Sequence, residues 1–223
     1  MPSNPRYRIA VIPGDGIGQE VIPAGLAVLD RVSRRHGFAI DAVNHPWGCA
    51  YYLARGRMMA ADALDVLRKA DAIYLGAVGA PSVPDHVSIW ELILPIRQRF
   101  DQYVNLRPTR MLAGVAGPLA GRRPADVDWL CVRENSEGEY AGVGRRYGAG
   151  DQETAEQTGV FTRRAIARIV RFACEAAMSR PRKLLASATK SNALQYSMVL
   201  WEDRKSTRLN SSHIQKSRMP SSA

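Results

Sequence analysis

Short apolar runs alternate along this chain with longer stretches in which apolar residues recur every three to four positions, the pattern of strands followed by helices. Residues 7–13 (YRIAVIP) read as a buried strand, residues 14–18 (GDGIG) as a turn and residues 19–35 as an amphipathic helix. A second unit repeats the pattern. Residues 38–43 read as a strand, residues 60–69 as a helix, and residues 71–81 as a buried strand running into a glycine-rich loop. This alternation predicts an α/β fold, a largely parallel sheet with helices on both faces. Ligands of such sheets bind beyond the carboxyl ends of strands. Both glycine turns, 14–18 and 76–79, fall at such ends. The first is either a tight strand-to-helix turn or a phosphate cradle. It is not the dinucleotide fingerprint, because Gln19 stands where the third glycine belongs.

Residues 90–104 predict a helix with Trp90, Ile93, Phe100 and Val104 on one arc. Arg97 falls inside that arc and Arg99 opposite it. A charge on an apolar face needs a partner, which is either Asp101 one turn on or a bound anion. Pro108 biases Arg107 towards extended backbone. Gly114, Gly117, Pro118 and Gly121 mark loops, so a sub-domain boundary is expected near Arg110, dividing the body into residues 1–110 and 111–202. Residues 128–135 read as a strand with Arg133 near its exit, and residues 137–144 as the start of a hairpin or arm. Residues 161–179 predict a helix with Ile166, Ile169, Val170 and Ala173 on its core face. Arg164, Arg168, Arg171 and Glu175 are assigned to a solvated face. Residues 183–190 read as a last buried strand that delivers Lys190 at its end.

Composition narrows the function. The chain has 223 residues, 46% hydrophobic and 23% charged, ordinary for a globular protein. It contains no apolar run long enough to span a bilayer and no signal-peptide core near its start. A cytoplasmic protein with no membrane partner is expected. Cys49, Cys131 and Cys174 are odd in number and lie among apolar neighbours, which predicts free thiols. The formal charge of +10 invites a basic nucleic-acid-binding module as an alternative class. However, residues 203–223 carry five Lys or Arg and one Asp, leaving 26 basic against 20 acidic residues in the body. Those basic residues do not interleave with aromatics as a stacking platform would, so no nucleic-acid partner is expected. Residues 203–213 and 217–223 resemble in-frame translations of a sequencing adapter. This predicts an artefactual, disordered tail, with His213 no metal ligand.

The remaining chemistry is concentrated in three segments: IRQRFDQYVNLRP (residues 96–108), VRENSEGEY (132–140) and SATKSN (187–192). Arg97, Arg107 and Arg133 offer permanently charged forks that match carboxylates two bonds at a time. Tyr140 and Lys190 can move protons if their environments tune them. Together they suggest a site for a small dianionic acid.

Taken in order, IPGDGIG, GAVGAP, NLRP, VRENSEGEY and ATKSN make residues 6–202 resemble the β-decarboxylating dehydrogenases, the isocitrate/isopropylmalate dehydrogenase-like family. VSIWELILPIRQRFDQYVNLRP and FTRR look most like its tartrate/D-malate branch. The resemblance implies NAD-dependent oxidative decarboxylation of a small 2-hydroxy dicarboxylic acid, D-malate or tartrate, with isopropylmalate as the alternative. A non-catalytic regulatory relative is a further class, against which the Arg, Tyr and Lys set argues. It also implies that Arg97, Arg107 and Arg133 hold the substrate carboxylates and that Tyr140 protonates the enol product. Lys190 would take the hydroxyl proton in the neighbouring subunit's site. Ile17, Gly76, Ala77, Val78, Gly79 and Asn192 would border the NAD, and Ile93 would read the substrate's substituent. Glu91 departs from the small residue expected in that branch. Mg2+ or Mn2+, a homodimer and a dimerisation arm in the second domain are implied as well. The family's metal-binding aspartates and adenine loop would lie beyond residue 202, so the 223-residue chain is expected to be inactive by itself.

Overall fold

The computed structural model describes residues 4–209 and 215–217, with side chains as far as Asp203. The chain forms two compact units, Met1–Phe100 and Asp101–Ala223. The division falls before the segment 104–110, which the reading above placed in the first part.

In the first unit β1 (Arg6–Gly14) leads into α1 (Gly18–His36), β2 (Ala39–Asn44), α2 (Cys49–Arg55), α3 (Ala63–Leu67) and β3 (Ala72–Ala77). The three strands form one sheet in the order β2-β1-β3, and both pairings are parallel. Ala10, Val11 and Ile12 in the central strand are buried, and Ala10 and Ile12 form one core with Leu67 and Leu92. α1 stops at Gly37, whose φ of 69° is the left-handed conformation that glycine adopts without a Cβ penalty. Arg34, Arg35 and His36 occupy its last turn, where the helix dipole favours cations. α2 was not expected, because seven residues are too few to establish a period.

The helix expected over residues 90–104 is corrected. α4 (Asp85–Ser88) passes through a π-helical turn at Ile89–Ile93 into α5 (Leu94–Arg99), which is the last helix of the unit. A π turn adds a residue to the helical repeat and rotates everything beyond it. Leu92, Leu94 and Ile96 are therefore buried, while Trp90 is 40% exposed. Arg97 remains half-buried and Arg99 exposed. Asp101 takes a φ of 46°, which ends the helix, and Val104 belongs to a strand.

The second unit opens with β4 (Val104–Arg110) antiparallel to β5 (Asp128–Glu134), then β6 (Gly138–Tyr147) antiparallel to β7 (Thr154–Val160). Both ribbons are antiparallel, their strands joined by residues 111–127 and 148–153 without a crossover α-helix, whereas the first unit has the parallel sheet expected. α6 (Arg163–Met178) begins at Thr162, whose hydroxyl accepts from the Ala165 N–H. Ile166, Ile169 and Val170 pack against Tyr103, Val104 and Val132, so one face of the β4–β5 ribbon is covered. β8 (Leu184–Ala186) is shorter than the strand expected to run to Lys190, and Lys190 sits in the turn beyond it.

Residues 203–209 and 215–217 are the described part of this segment. α7 (Ser197–Leu209) continues past residue 203, and β9 (Gln215–Ser217) pairs in parallel with β8. His213 lies outside the described residues. Among the described residues no helix is long and apolar enough to cross a membrane. All three cysteines are free, Cys49 fully buried.

Burial separates two substitutions that look alike in sequence. Ile12 is fully buried, whereas Val28 on α1 is 61% exposed. Ile12→Ala should cost about 2–5 kcal/mol of stability and Val28→Ala no more than roughly 0.5 kcal/mol. Urea unfolding of the two variants checks the contrast.

Candidate functional site

The antiparallel register of β4 and β5 decides which side chains share a face. Asn105 lies opposite Arg133 and Arg107 opposite Cys131. Successive side chains alternate across a strand, so Arg107 and Arg133 belong to the same face, diagonal to each other. Val104 and Val132 take the other face, against α6. The Arg107 Nε donates to the Asn105 Oδ1 at 3.3 Å. Asn105 in turn donates to the Oδ1 of Asn135 at 3.4 Å, and the buried Asn135 donates to the Gln102 carbonyl at 3.1 Å. This polar ladder holds the face in register with the loop that precedes β4.

Arg133 and Tyr140, separated by a tight turn, meet on this side of the fold. The Arg133 Nη2 donates to the Tyr140 phenol oxygen at 2.7 Å, with the guanidinium carbon 5.2 Å from the ring centroid. The phenol accepts in that bond, so its own O–H hydrogen is not consumed by it. Arg107 is exposed, while Arg133 and Tyr140 are half-buried. Lys190 and Asn192 are exposed in the turn after β8, where the Lys190 carbonyl accepts from the N–H groups of Ala193 and Leu194. Arg97 and Ile93 belong to the first unit and are half-buried there.

The turn from Glu134 to Gly138 is pinned by three side chains that sequence reading did not select. The Glu134 carboxylate accepts from the backbone N–H groups of Ser136 and Glu137, at 3.0 and 2.8 Å, and from the Ser136 hydroxyl at 2.6 Å. The Glu137 carboxylate accepts from the N–H and hydroxyl of Thr162, both at 2.7 Å, joining the turn to the start of α6. Arg168 reaches it from α6, and its assignment to a solvated face is corrected. Its side chain is 21% exposed, and it pairs with Asp101 at 2.7 Å and with Glu134 at 3.9 Å.

In the first unit the two glycine turns lie side by side at the strand ends, Gly14 opposite Ala77. A Cβ on Gly14 would fall 2.0 Å from the Ala77 carbonyl oxygen, and one on Gly76 2.3 Å from that of Pro13. These glycines are required by backbone packing. Gly16, with a φ of 49°, and Gly79, with a φ of 139°, are different. Nothing lies within 4 Å of the position of a Cβ on either, so their open sides are where a ligand can approach the backbone. Ile17 beside them is 58% exposed.

Asp15, buried at 9% exposure, fastens these turns together. Both carboxylate oxygens accept from the Cys49 N–H, at 2.9 and 3.0 Å, and one accepts from the Gly79 N–H at 3.1 Å. Its own N–H donates to the Ala77 carbonyl at 2.6 Å. Burial pushes the Asp15 pKa up, but donors from Cys49, Gly79 and Ala50 outweigh it and hold the carboxyl below its ordinary value. The Cys49 thiol is pushed up to about 11, by burial first and then by its hydrogen bond to Asp15. The only sequence signal for Asp15 was an acidic residue between two glycines directly after a buried strand. Among the described residues no group of three or more His, Cys, Asp or Glu side chains gathers to hold a metal.

The first unit is thus a parallel strand-turn-helix arrangement with an open glycine cradle, and the second carries an arginine pair beside a tyrosine. Residues 8–217 match the isocitrate/isopropylmalate dehydrogenase family, and the chain belongs to it. It is 53% identical over 199 residues to a probable tartrate dehydrogenase/decarboxylase of Agrobacterium vitis, covering 88% of this chain and 56% of that protein. It is 53% identical over 200 residues to the D-malate dehydrogenase (decarboxylating) of Escherichia coli strain K12, covering 88% and 55%. An isocitrate dehydrogenase from Methylococcus capsulatus superposes with a TM-score of 0.81 at 26% identity, covering 96% of this chain and 60% of that one. The chain thus spans about 56% of the length of the curated relatives it matches.

The Asp15 bonds make acid stability a test of the first unit. A carboxyl whose folded pKa is depressed contributes stability that is present above its unfolded pKa and is lost as pH falls through the folded value. Asp15→Asn should therefore lower stability at pH 7 and flatten the decline below about pH 4. Urea midpoints measured from pH 7 down to pH 3 check both.

Proposed function

We propose that the chain carries the substrate-holding and proton-transfer side chains of an NAD-dependent oxidative decarboxylation of a small 2-hydroxy dicarboxylic acid, D-malate or tartrate. The observation that supports this most directly is the Arg133–Tyr140 bond on the same ribbon face as Arg107. Two guanidinium forks there suit a carboxylate, and a phenol held by one of them is suited to deliver a proton beside it. Arg97 completes the carboxylate set in this reading, and Ile93 meets the substrate's substituent. Lys190 accepts the hydroxyl proton, in the neighbouring subunit's site if the enzyme is a homodimer. Loss of CO2 leaves an enolate that Tyr140 protonates at carbon.

NAD, when bound, takes the hydride from the hydroxyl-bearing carbon. The open backbone at Gly16 and Gly79, with Ile17, Ala77 and Val78 alongside, fits a nucleotide approaching the strand ends. Gly76 serves this by letting the two turns pack, and Asn192 lies near the ribose. The described residues do not by themselves fit Mg2+ or Mn2+, so no step here runs through a metal. In this reading its ligands belong to the portion of the relatives that the chain does not span. A cytoplasmic enzyme fits the free thiols.

A chimera tests the reading. Residues 1–202 joined to the C-terminal portion of the Escherichia coli D-malate dehydrogenase should reduce NAD with D-malate or tartrate in the presence of Mg2+. Isopropylmalate should be the poorer substrate. Tyr140→Phe should lower kcat by about 10²–10⁴-fold, and Arg133→Lys should raise KM for the diacid. A folded chimera that prefers isopropylmalate, or that tolerates Tyr140→Phe, would overturn it.

A further inference from the structure

We infer that Arg168 is a positioning residue for the proton-transfer pair, acting through the Glu134–Gly138 turn that sets Arg133 against Tyr140. Its importance for the reaction rests on the proposed function, but its action on the turn does not.

The inference starts from how completely this arginine is held. Nη1 donates to both oxygens of Asp101, at 2.7 and 2.9 Å, and Nη2 donates to the Ser136 hydroxyl at 2.8 Å. The guanidinium carbon stands 4.3 Å from the centroid of the Tyr103 ring. Its Nε is buried and has no partner among the described residues. A cation drawn out of water to this degree is retained only where its partners fix it. The partners come from two places, Asp101 and Tyr103 just before β4, and Glu134 and Ser136 at the end of β5 and just beyond it.

From Ser136 the constraint runs to the pair. The Ser136 hydroxyl accepts from Arg168 and donates to Glu134 at 2.6 Å. The Glu134 carboxylate takes the next two backbone N–H groups of the turn. Arg133 precedes this turn and Tyr140 follows it by two residues, with Gly138 at a φ of 75° between them. The 2.7 Å separation of Arg133 and Tyr140 is therefore set by the turn's closure. Arg168 touches neither of them. It holds the hinge on which both are mounted.

The test reads the pair directly in the 223-residue chain. Tyrosine is labelled with 13C at Cζ, and the Tyr140 signal is assigned by its loss in Tyr140→Phe. Arg168→Met should move the native Tyr140 signal towards its position in the urea-unfolded chain. It should also speed amide exchange at Ser136 and Glu137 by about tenfold or more, leaving Ile166 and Ile169 in α6 protected. A purely stabilising Arg168 would lower the urea midpoint and leave the native signal in place, and that result overturns the inference. If Arg168→Met does not fold, Ser136→Ala decides, because it removes the hydroxyl that relays Arg168 to Glu134 and keeps the Asp101 pair and the longer 3.9 Å contact with Glu134. Its Tyr140 signal should move the same way, and an unmoved signal overturns the inference. An inactive chimera with a moved signal defeats the catalytic reading and leaves the positioning role standing. An active chimera with an unmoved signal does the reverse.

Discussion

A charge taken out of water must be met by donors or by an opposite charge, and each unit of this protein is organised around one such charge. In the first it is the carboxylate of Asp15, held by N–H groups from the start of α2 and from the loop after β3. In the second it is the guanidinium of Arg168, held by carboxylates and a hydroxyl from either side of the β4–β5 ribbon. Neither group is among the residues proposed to hold substrate or cofactor. Each fixes the relative placement of backbone segments that carry the residues proposed to do so. Apolar packing alone would leave those segments free to slide, because it is non-directional. The directional bonds of a buried ion are what give a loop one conformation.

Much of the framework was legible in sequence. The order strand, glycine turn, helix, strand in the first unit emerged from periodicity, because β1 and α1 are long enough to show their repeats. Of the β4–β5 ribbon only β5 was legible as a strand; β4 showed no more than the extended bias that Pro108 puts on Arg107, and the pairing did not show at all. Parallel and antiparallel pairing leave the same hydrophobic pattern in a strand covered on one face. The helix over residues 90–104 failed for a definite reason. A single π turn at Ile89–Ile93 breaks the 100° phase, and no local composition announces it. Buried Leu92 and Leu94 then replace Trp90 as the core residues of that segment.

The side chains proposed for the candidate site were more legible than those that hold the turn beside Arg133. Arginines in apolar surroundings stand out, so Arg97 was separated from Arg99 and Arg133 was marked at the exit of its strand. Arg168 was not, because a helical wheel assigns faces by angle alone. At 100° per residue it lies about 130° from the centre of the buried arc, which is why the wheel puts it on the far face. Whether an arginine there is solvated or captured depends on what the neighbouring segments present, and that is a tertiary fact. Asp101, Glu134 and Ser136 had no sequence signature of their own.

The same reasoning explains why the glycines of the first unit divide into two kinds. Gly14 and Gly76 are glycine because another backbone occupies the space of their missing side chains, and Gly14 also for its φ of 72°. Gly16 and Gly79 have open space there and positive φ values, so they are glycine for conformation and leave the backbone bare. A motif read as a single string therefore contains two requirements of different physical origin. Replacing Gly14 would push β1 and β3 apart and take Asp15 with them. Replacing Gly79 would strain a loop and cover a surface, leaving the sheet intact. The packing glycines and Asp15 are thus what allow the bare ones to be held at the strand ends.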